Sequence, residues 1–251
     1  MKKFISIIAF CLVSALLIAQ SLSIASYNML RLGDGTKDYK TLASVISTFD
    51  VCGAIEVMNE NGMKQTLQYL PDYKYVISKT SVGTDKYKEY FGVFYNTKKV
   101  TVTEIGLYPT TGFVRNPYGV TIKDLNSDFS VNLVIVHIIY GSSEKDRIAE
   151  VNNLDELYTY FNKENNTIIS GDFNLENVKN FDITKYSTNV SGVNKSTLGM
   201  KSASNSYDHM FVSKELVNKI IKSDVDYWTQ DWNTRKTVSD HFPVYCIISI
   251  K

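Results

Sequence analysis

Short apolar runs rich in Val, Ile, Tyr and Phe, each closed by Gly, Asn, Asp or Ser, recur along almost the whole chain, and they constrain its fold most. Such runs are too short for buried helices and favour the pleated backbone on which β-branched and aromatic side chains pack well. They lie at Leu22–Tyr27, Val51–Val57, Lys74–Ser78, Phe91–Tyr95, Leu133–Ile139, Thr167–Ser170, Met210–Val212 and Val244–Ile250. Two stretches between them carry helical spacing instead. One is Tyr39–Phe49, after the Gly33-Asp34-Gly35 turn. The other is Glu144–Phe161, where Ile148, Val151, Leu154, Leu157 and Phe161 share a face. Many strands and few helices to cover them predict an α+β chain, and residues 22–251 suit a single domain. Asn162–Asn166 reads as a polar connection and Phe181–Lys201 as a long surface loop.

The first residues follow a different rule. Lys2 and Lys3 precede an apolar run from Phe4 to Ala19, with small residues at Ala19 and Ser21. About sixteen apolar residues fall short of the roughly 20 that a spanning helix needs, so residues 1–21 read as a cleaved export signal. The mature chain is then expected to be secreted, extracellular or periplasmic, with no membrane anchor. Cys11 lies inside the signal without a lipobox before it. Losing Lys2 and Lys3 takes Lys+Arg from 27 to 25 against 26 Asp+Glu, which turns a net charge of +1 into −1. A polyanionic substrate must therefore be met by a local patch or a metal, because no global basic field exists. Cys52 and Cys246 sit in strand-like runs and read as packing thiols, with a disulfide as the minor alternative.

Polar residues interrupt the strand runs at telling places. Asn28 and Glu56 come at the ends of the first two runs, His137 closes Leu133–Val136, and Asp172 and Asn174 follow Thr167–Gly171. Asp208 precedes Met210–Val212, and Asp240 with His241 precedes the last run. If the last two strands run antiparallel to the first four, all six places meet at one edge of the sheets.

These segments, in this order, resemble those of the endonuclease/exonuclease/phosphatase superfamily. They are Ser26-Tyr27-Asn28, Ala54-Ile55-Glu56-Val57, His137, Gly171-Asp172-Phe173-Asn174, Tyr207-Asp208 and Ser239-Asp240-His241-Phe242-Pro243, and they cover essentially the whole mature chain. Tyr87-Lys88-Glu89-Tyr90 and Arg115-Asn116-Pro117 look like segments of the deoxyribonuclease I branch. The resemblance implies a four-layered α/β sandwich, with two packed, mostly antiparallel β-sheets flanked by helices. It also implies a metal-dependent phosphodiesterase, acting as a monomer with DNA as substrate and no stable protein partner.

A hard cation such as Mg²⁺ or Mn²⁺ suits carboxylate oxygens, which points to Glu56, with Asp240 and Asn28 as direct or water-mediated partners. His137 and His241 are the natural proton-transfer pair. By resemblance Glu89 orients His137 and Asp208 orients His241, while in some members the residue matching Asp172 is the base. Asp172 and Asn174 alternate, so extended backbone would turn both toward one phosphate. Arg115 would grip a phosphate, and Tyr87, Tyr207 and Asn28 complete the expected substrate contacts. His209, next to Asp208, should face away. Tyr227, Trp228 and Trp232 read as packing.

The chain also departs from the deoxyribonuclease I pattern. Met58 stands where that branch has a groove-inserting arginine, and the threonine expected shortly before Tyr207 has only Thr197 or Ser202 as candidates. A sphingomyelinase-like or phosphoinositide phosphoesterase is the nearest rival reading. An inactive toxin or binding subunit is a third, which the intact set of histidines and carboxylates disfavours.

Overall fold

The computed structural model describes residues 21–178, 187–189, 195–199, 202, 204–229 and 231–251. Residues 1–20 of the expected export signal lie outside the described residues, as does most of the loop expected over Phe181–Lys201, while Ser21 begins the first strand.

Along the chain the strands are β1 Ser21–Leu32, β2 Val51–Val57, β3 Tyr73–Ile77, β4 Val82–Gly83, β5 Lys88–Asn96, β6 Val100–Leu107 and β7 Tyr118–Asp124. They continue with β8 Ser130–His137, β9 Thr167–Asp172, β10 Ser187–Asn189, β11 Asp208–Ser213, β12 Ile220–Val225 and β13 Val244–Ser249. The helices are α1 Tyr39–Ile46, α2 Glu60–Leu67, α3 Glu144–Val151, α4 Leu154–Phe161 and the single turns α5 Lys214–Val217 and α6 Trp232–Arg235. All eight runs read from the sequence are strands. One sheet has the order β12-β13-β1-β2-β5-β3, with β4 on β5, and the other β10-β11-β9-β8-β7-β6.

Alternation along the strands builds the layers, because successive side chains point to opposite faces. From β1, Leu22 and Ile24 enter the core between the sheets, where they meet Leu133, Ile135 and Ile168. Ala25 and Tyr27 point the other way, under Leu42, Val45 and Ile46 of α1 and Met63 of α2. The second sheet buries its outer face, with Val134, Val136 and Ile169, under Val151, Leu154, Leu157 and Phe161. Helix, sheet, sheet and helix thus make four layers. Cys246 belongs to the inter-sheet core and Cys52 to the outer one, so the two buried free thiols lie on opposite faces.

Two expected helices are shorter than their apolar pattern. The stretch Tyr39–Phe49 stops being helical after Ile46, where the Ser47 and Thr48 hydroxyls bond back to the carbonyls of Ser44 and Val45. Glu144–Phe161 is two helices. Asn153 breaks it by donating its amide to the carbonyls of Ala149 and Gly112, a competition for backbone partners that asparagine usually wins.

Strand direction sets the active end. β1 and β2 are parallel, as are β8 and β9, while β13 runs antiparallel to β1 and β11 antiparallel to β9. The ends of the first four and the starts of the last two therefore share one edge. Beneath it, Gly171 has φ +154°, and a Cβ there would lie 1.9 Å from the Val136 carbonyl oxygen, so only glycine lets β9 approach β8 this closely.

Candidate active site

Asp172 is the hub. Its Oδ2 lies 3.7 Å from Nε2 of His137 and 3.7 Å from Nε2 of His241, and it accepts from Asn28 Nδ2 at 3.1 Å. The two sheets supply one histidine each, and each ring is braced from behind. His137 Nδ1 is 2.7 Å from Glu89 Oε1, and His241 Nδ1 is 2.7 Å from Asp208 Oδ2. Both carboxylates are buried, at 0 % and 2 % exposure, where an unpaired charge would be costly. Binding Nδ1 to a carboxylate leaves Nε2 as the working nitrogen of each ring.

Burial opposes charge on His241, yet Asp208 and Asp172 outweigh it and push its pKa up to about 10. For His137 burial likewise opposes, and Glu89 raises the pKa on balance. Asp172 is thus the carboxylate that stands between the working nitrogens of the two rings.

Thr197 supplies the threonine sought in the sequence. Its hydroxyl accepts from the backbone N–H groups of Tyr207 and Asp208, both at 3.0 Å, and so fixes the start of β11. Ser239 does the same for the last segment, donating to Asn28 O at 2.6 Å and accepting from His241 N at 3.0 Å. Arg235, fully buried, lies flat on Phe242 with 3.7 Å from guanidinium carbon to ring centroid and donates to the Ser239 and Gly199 carbonyls.

The oxygen-rich side is built from strained backbone. Among the described residues, the non-glycine positions with positive φ are Leu30, Arg31, Glu56 and Asn174; the first three lie on this side, and Asn174 bonds to Asp172. Left-handed backbone costs such residues on the order of 1–2 kcal/mol each and concentrates at functional sites. Glu56 Oε2 accepts from Arg31 N at 3.0 Å and its Oε1 from Asn28 Nδ2 at 3.1 Å. Lys37 Nζ ties the turn down through the carbonyls of Met29, Leu30 and Val238 at 2.7–2.8 Å. Burial lowers its pKa to about 8 even though Glu56 and Asp240 act to raise it. Nothing in the sequence pattern singled this lysine out.

Three expectations change in detail. Asn174 is not on extended backbone. It has φ +49°, its N–H donates to Asp172 Oδ1 at 2.8 Å, and its amide donates to Ile138 O, so a turn delivers it rather than strand alternation. Asn28 turns its Oδ1 toward Leu30 N and its amide between Glu56 and Asp172, so it also holds the two carboxylates together. Although Met58 stands in place of the arginine of the deoxyribonuclease I branch, cations do reach Tyr87: Arg31 stacks over it at 5.6 Å and Arg115 at 5.3 Å. Arg31 is 49 % exposed and pairs with Asp34.

Arg115 itself is mostly buried, with Nε 3.4 Å from Glu89 Oε1, and Tyr87 hydroxyl lies 3.4 Å from Glu89 Oε2. Tyr207 sits half-buried on the opposite flank, beside β11. His209 faces the outer core, packed on Phe173 and Phe211 and bonded to Leu175 O at 2.8 Å, and burial lowers its pKa. Tyr227 and Trp228 pack against the Phe242 cluster, and the Trp232 side chain lies outside the described residues.

The donors fit a hard divalent cation. Asp240 Oδ1 is buried without a hydrogen-bond partner, Glu56 is half-buried, and both carboxylates act on Lys37. Asp172, Asp208 and His241 also bring ligand atoms within 4.8 Å of one another. That cluster is the poorer candidate, since Asp208 and His241 are already bonded to each other.

Two packed sheets bring paired, carboxylate-braced histidines around one aspartate, an arrangement that can move protons on and off a phosphoester. No family model matches the chain. A curated deoxyribonuclease of Thioalkalivibrio sp. (strain K90mix) is 25% identical over 257 residues, covering 90% of this chain and 70% of that protein. An endonuclease/exonuclease/phosphatase family protein from Bacteroides thetaiotaomicron superposes with TM-score 0.69 at 20% identity, covering 91% of this chain and 97% of that one. A mannosyl-6-phosphatase of Bacteroides thetaiotaomicron superposes with TM-score 0.67 at 20% identity, covering 90% and 99%. The chain thus shares the fold of these endonuclease/exonuclease/phosphatase family structures.

Proposed function

We propose that this chain is a secreted, Mg²⁺- or Mn²⁺-dependent deoxyribonuclease I-like endonuclease that cuts DNA with little sequence preference. The observation that carries the chemistry is Asp172 Oδ2 standing 3.7 Å from each histidine Nε2. A phosphate placed over this floor meets two N–H donors and one acceptor. Asp172 takes the proton of the attacking water as its oxygen bonds to phosphorus. An imidazolium Nε2–H returns a proton to the departing ester oxygen as the P–O bond breaks, while the other ring holds a non-bridging oxygen. Glu56 and Asp240 would hold the cation, which supplies positive charge against the charge that builds on the phosphate.

The DNA reading is supported by the Arg31–Tyr87–Arg115 stack and by the 25%-identical deoxyribonuclease. Contacts of this kind meet phosphate and carry little base information. Purified residues 22–251 should nick supercoiled plasmid with Mg²⁺ or Mn²⁺, stop in EDTA, and lose activity in His241→Ala without unfolding. Intact plasmid alongside cleaved sphingomyelin would transfer the reading to a phospholipid esterase. Failure on both substrates with every divalent metal would favour a binding subunit.

A further inference from the structure

The strand order gives the site two flanks. Arg115 and Tyr87 stand on the side of β7 and β5, and Tyr207 on the side of β11. A phosphodiester has two arms, so a substrate centred on Asp172 sends one arm toward each flank. On the Tyr207 side, Asn174 and Tyr207 open into a cleft of about 260 Å³ whose far wall is Arg147 of α3.

Arg147 is an unusual arginine. It is half-buried and makes no ion pair among the described residues, and its Nε is buried without a hydrogen-bond partner. Its guanidinium lies 4.5 Å over the ring of Tyr140, which is itself 59 % exposed, so the stack stiffens the side chain without satisfying its donors. A guanidinium in that state is prepared for an oxyanion.

The rest of the lining narrows the ligand. Glu144 and Glu176 also face the cleft, and Asn205 Nδ2 donates to Glu176 Oε1 at 2.8 Å. Free phosphate alone would meet repulsion from these carboxylates, and an acyl chain would meet a polar wall. A nucleotide unit carries what the lining asks for: a phosphate for Arg147, sugar or base donors for the carboxylates, and a flat ring beside Tyr207. The volume, near the lower end of small-ligand pockets at about 300 Å³, matches one such unit and no more.

We propose that this cleft is a second substrate subsite, which holds the nucleotide next to the scissile bond with Arg147 on that nucleotide's own phosphate. The assignment rests on the phosphodiesterase reading above. It is tested with two substrates in Mg²⁺: a hexathymidylate, which has neighbouring phosphates, and bis(4-nitrophenyl) phosphate, which has none. Arg147→Met keeps the stem packed on Tyr140 and removes the charge. KM for the hexanucleotide should rise at least about tenfold, as expected for losing a charged hydrogen-bonding pair. kcat/KM for bis(4-nitrophenyl) phosphate should stay within twofold, and Arg147→Lys should recover part of the loss.

An equal fall on both substrates, or no fall on either, would overturn the subsite. Anisotropy of a labelled hexathymidylate in EDTA decides the same question without turnover. Weaker binding by Arg147→Met than by the unmodified protein supports the subsite, and equal affinity sinks it. An unmodified protein that cleaves neither substrate would refute the phosphodiesterase reading alone, since the binding measurement still separates the two.

Discussion

Asp208→Asn probes the electrostatics of the site with almost no change in shape. The carboxylate sits 2.7 Å from His241 Nδ1 and, after the opposing influence of burial, is the largest reason that ring reaches a pKa of about 10. The amide removes that influence and leaves the burial in place, so at pH 8 the ring becomes neutral. Replacing a charged hydrogen bond to the phosphate by a neutral one costs the difference between them, about 1–1.5 kcal/mol, or roughly 5–13-fold in kcat/KM for plasmid nicking. The loss should shrink as pH is lowered toward 6 and the ring recharges. A variant within threefold of the unmodified protein at pH 8, or equally impaired at pH 6 and pH 8, would refute the reasoning. Stability gives an independent reading. The folded-state pKa is raised above the ordinary 6.5, so the pair stabilises fully below pH 6.5 and fades as pH climbs toward 10. Metal-free melting temperatures of the two proteins should therefore converge with rising pH.

Two other outcomes follow from the geometry. Glu56→Gln should weaken Mn²⁺ binding by calorimetry at least about tenfold, since it removes one charged oxygen donor from a hard-cation site; unchanged affinity would exclude Glu56 as a ligand. Gly171→Ala should lower stability in urea by about 3 kcal/mol or more, because the new Cβ would lie 1.9 Å from Val136 O on backbone at φ +154°; a near-neutral effect would show that β8 and β9 can part without harm.

Much of this site was legible because its residues sit where strands end. A carboxylate or histidine that interrupts a buried run has few places to go, and six such interruptions on strands of the right direction can only meet. Legibility failed where a contact depends on a turn or on a distant element. Asn174 reaches the floor through left-handed backbone, which no alternation rule foresees. Lys37 matters through carbonyls at Met29, Leu30 and Val238, and any exposed lysine on a loop reads the same way. Arg147 lay inside a helical pattern whose apolar face drew the eye to Ile148 and Val151. The break at Asn153 was missed for a related reason: apolar spacing records which face is buried, while the amide that ends the helix acts on backbone.

Ser239 has a consequence for when the molecule becomes active. Its hydroxyl joins Asn28 O to His241 N, across 211 positions of chain. The entropy of closing so long a loop grows only logarithmically with length, but the contact must wait until both ends exist. Synthesis from the N-terminus delivers β1 well before Asp240 and His241. A chain still emerging from the ribosome thus holds Glu56, His137 and Asp172 without the segment that completes them. Until Asp240 and His241 have been made, the site lacks one of its two histidines and the hydroxyl bridge that seats it.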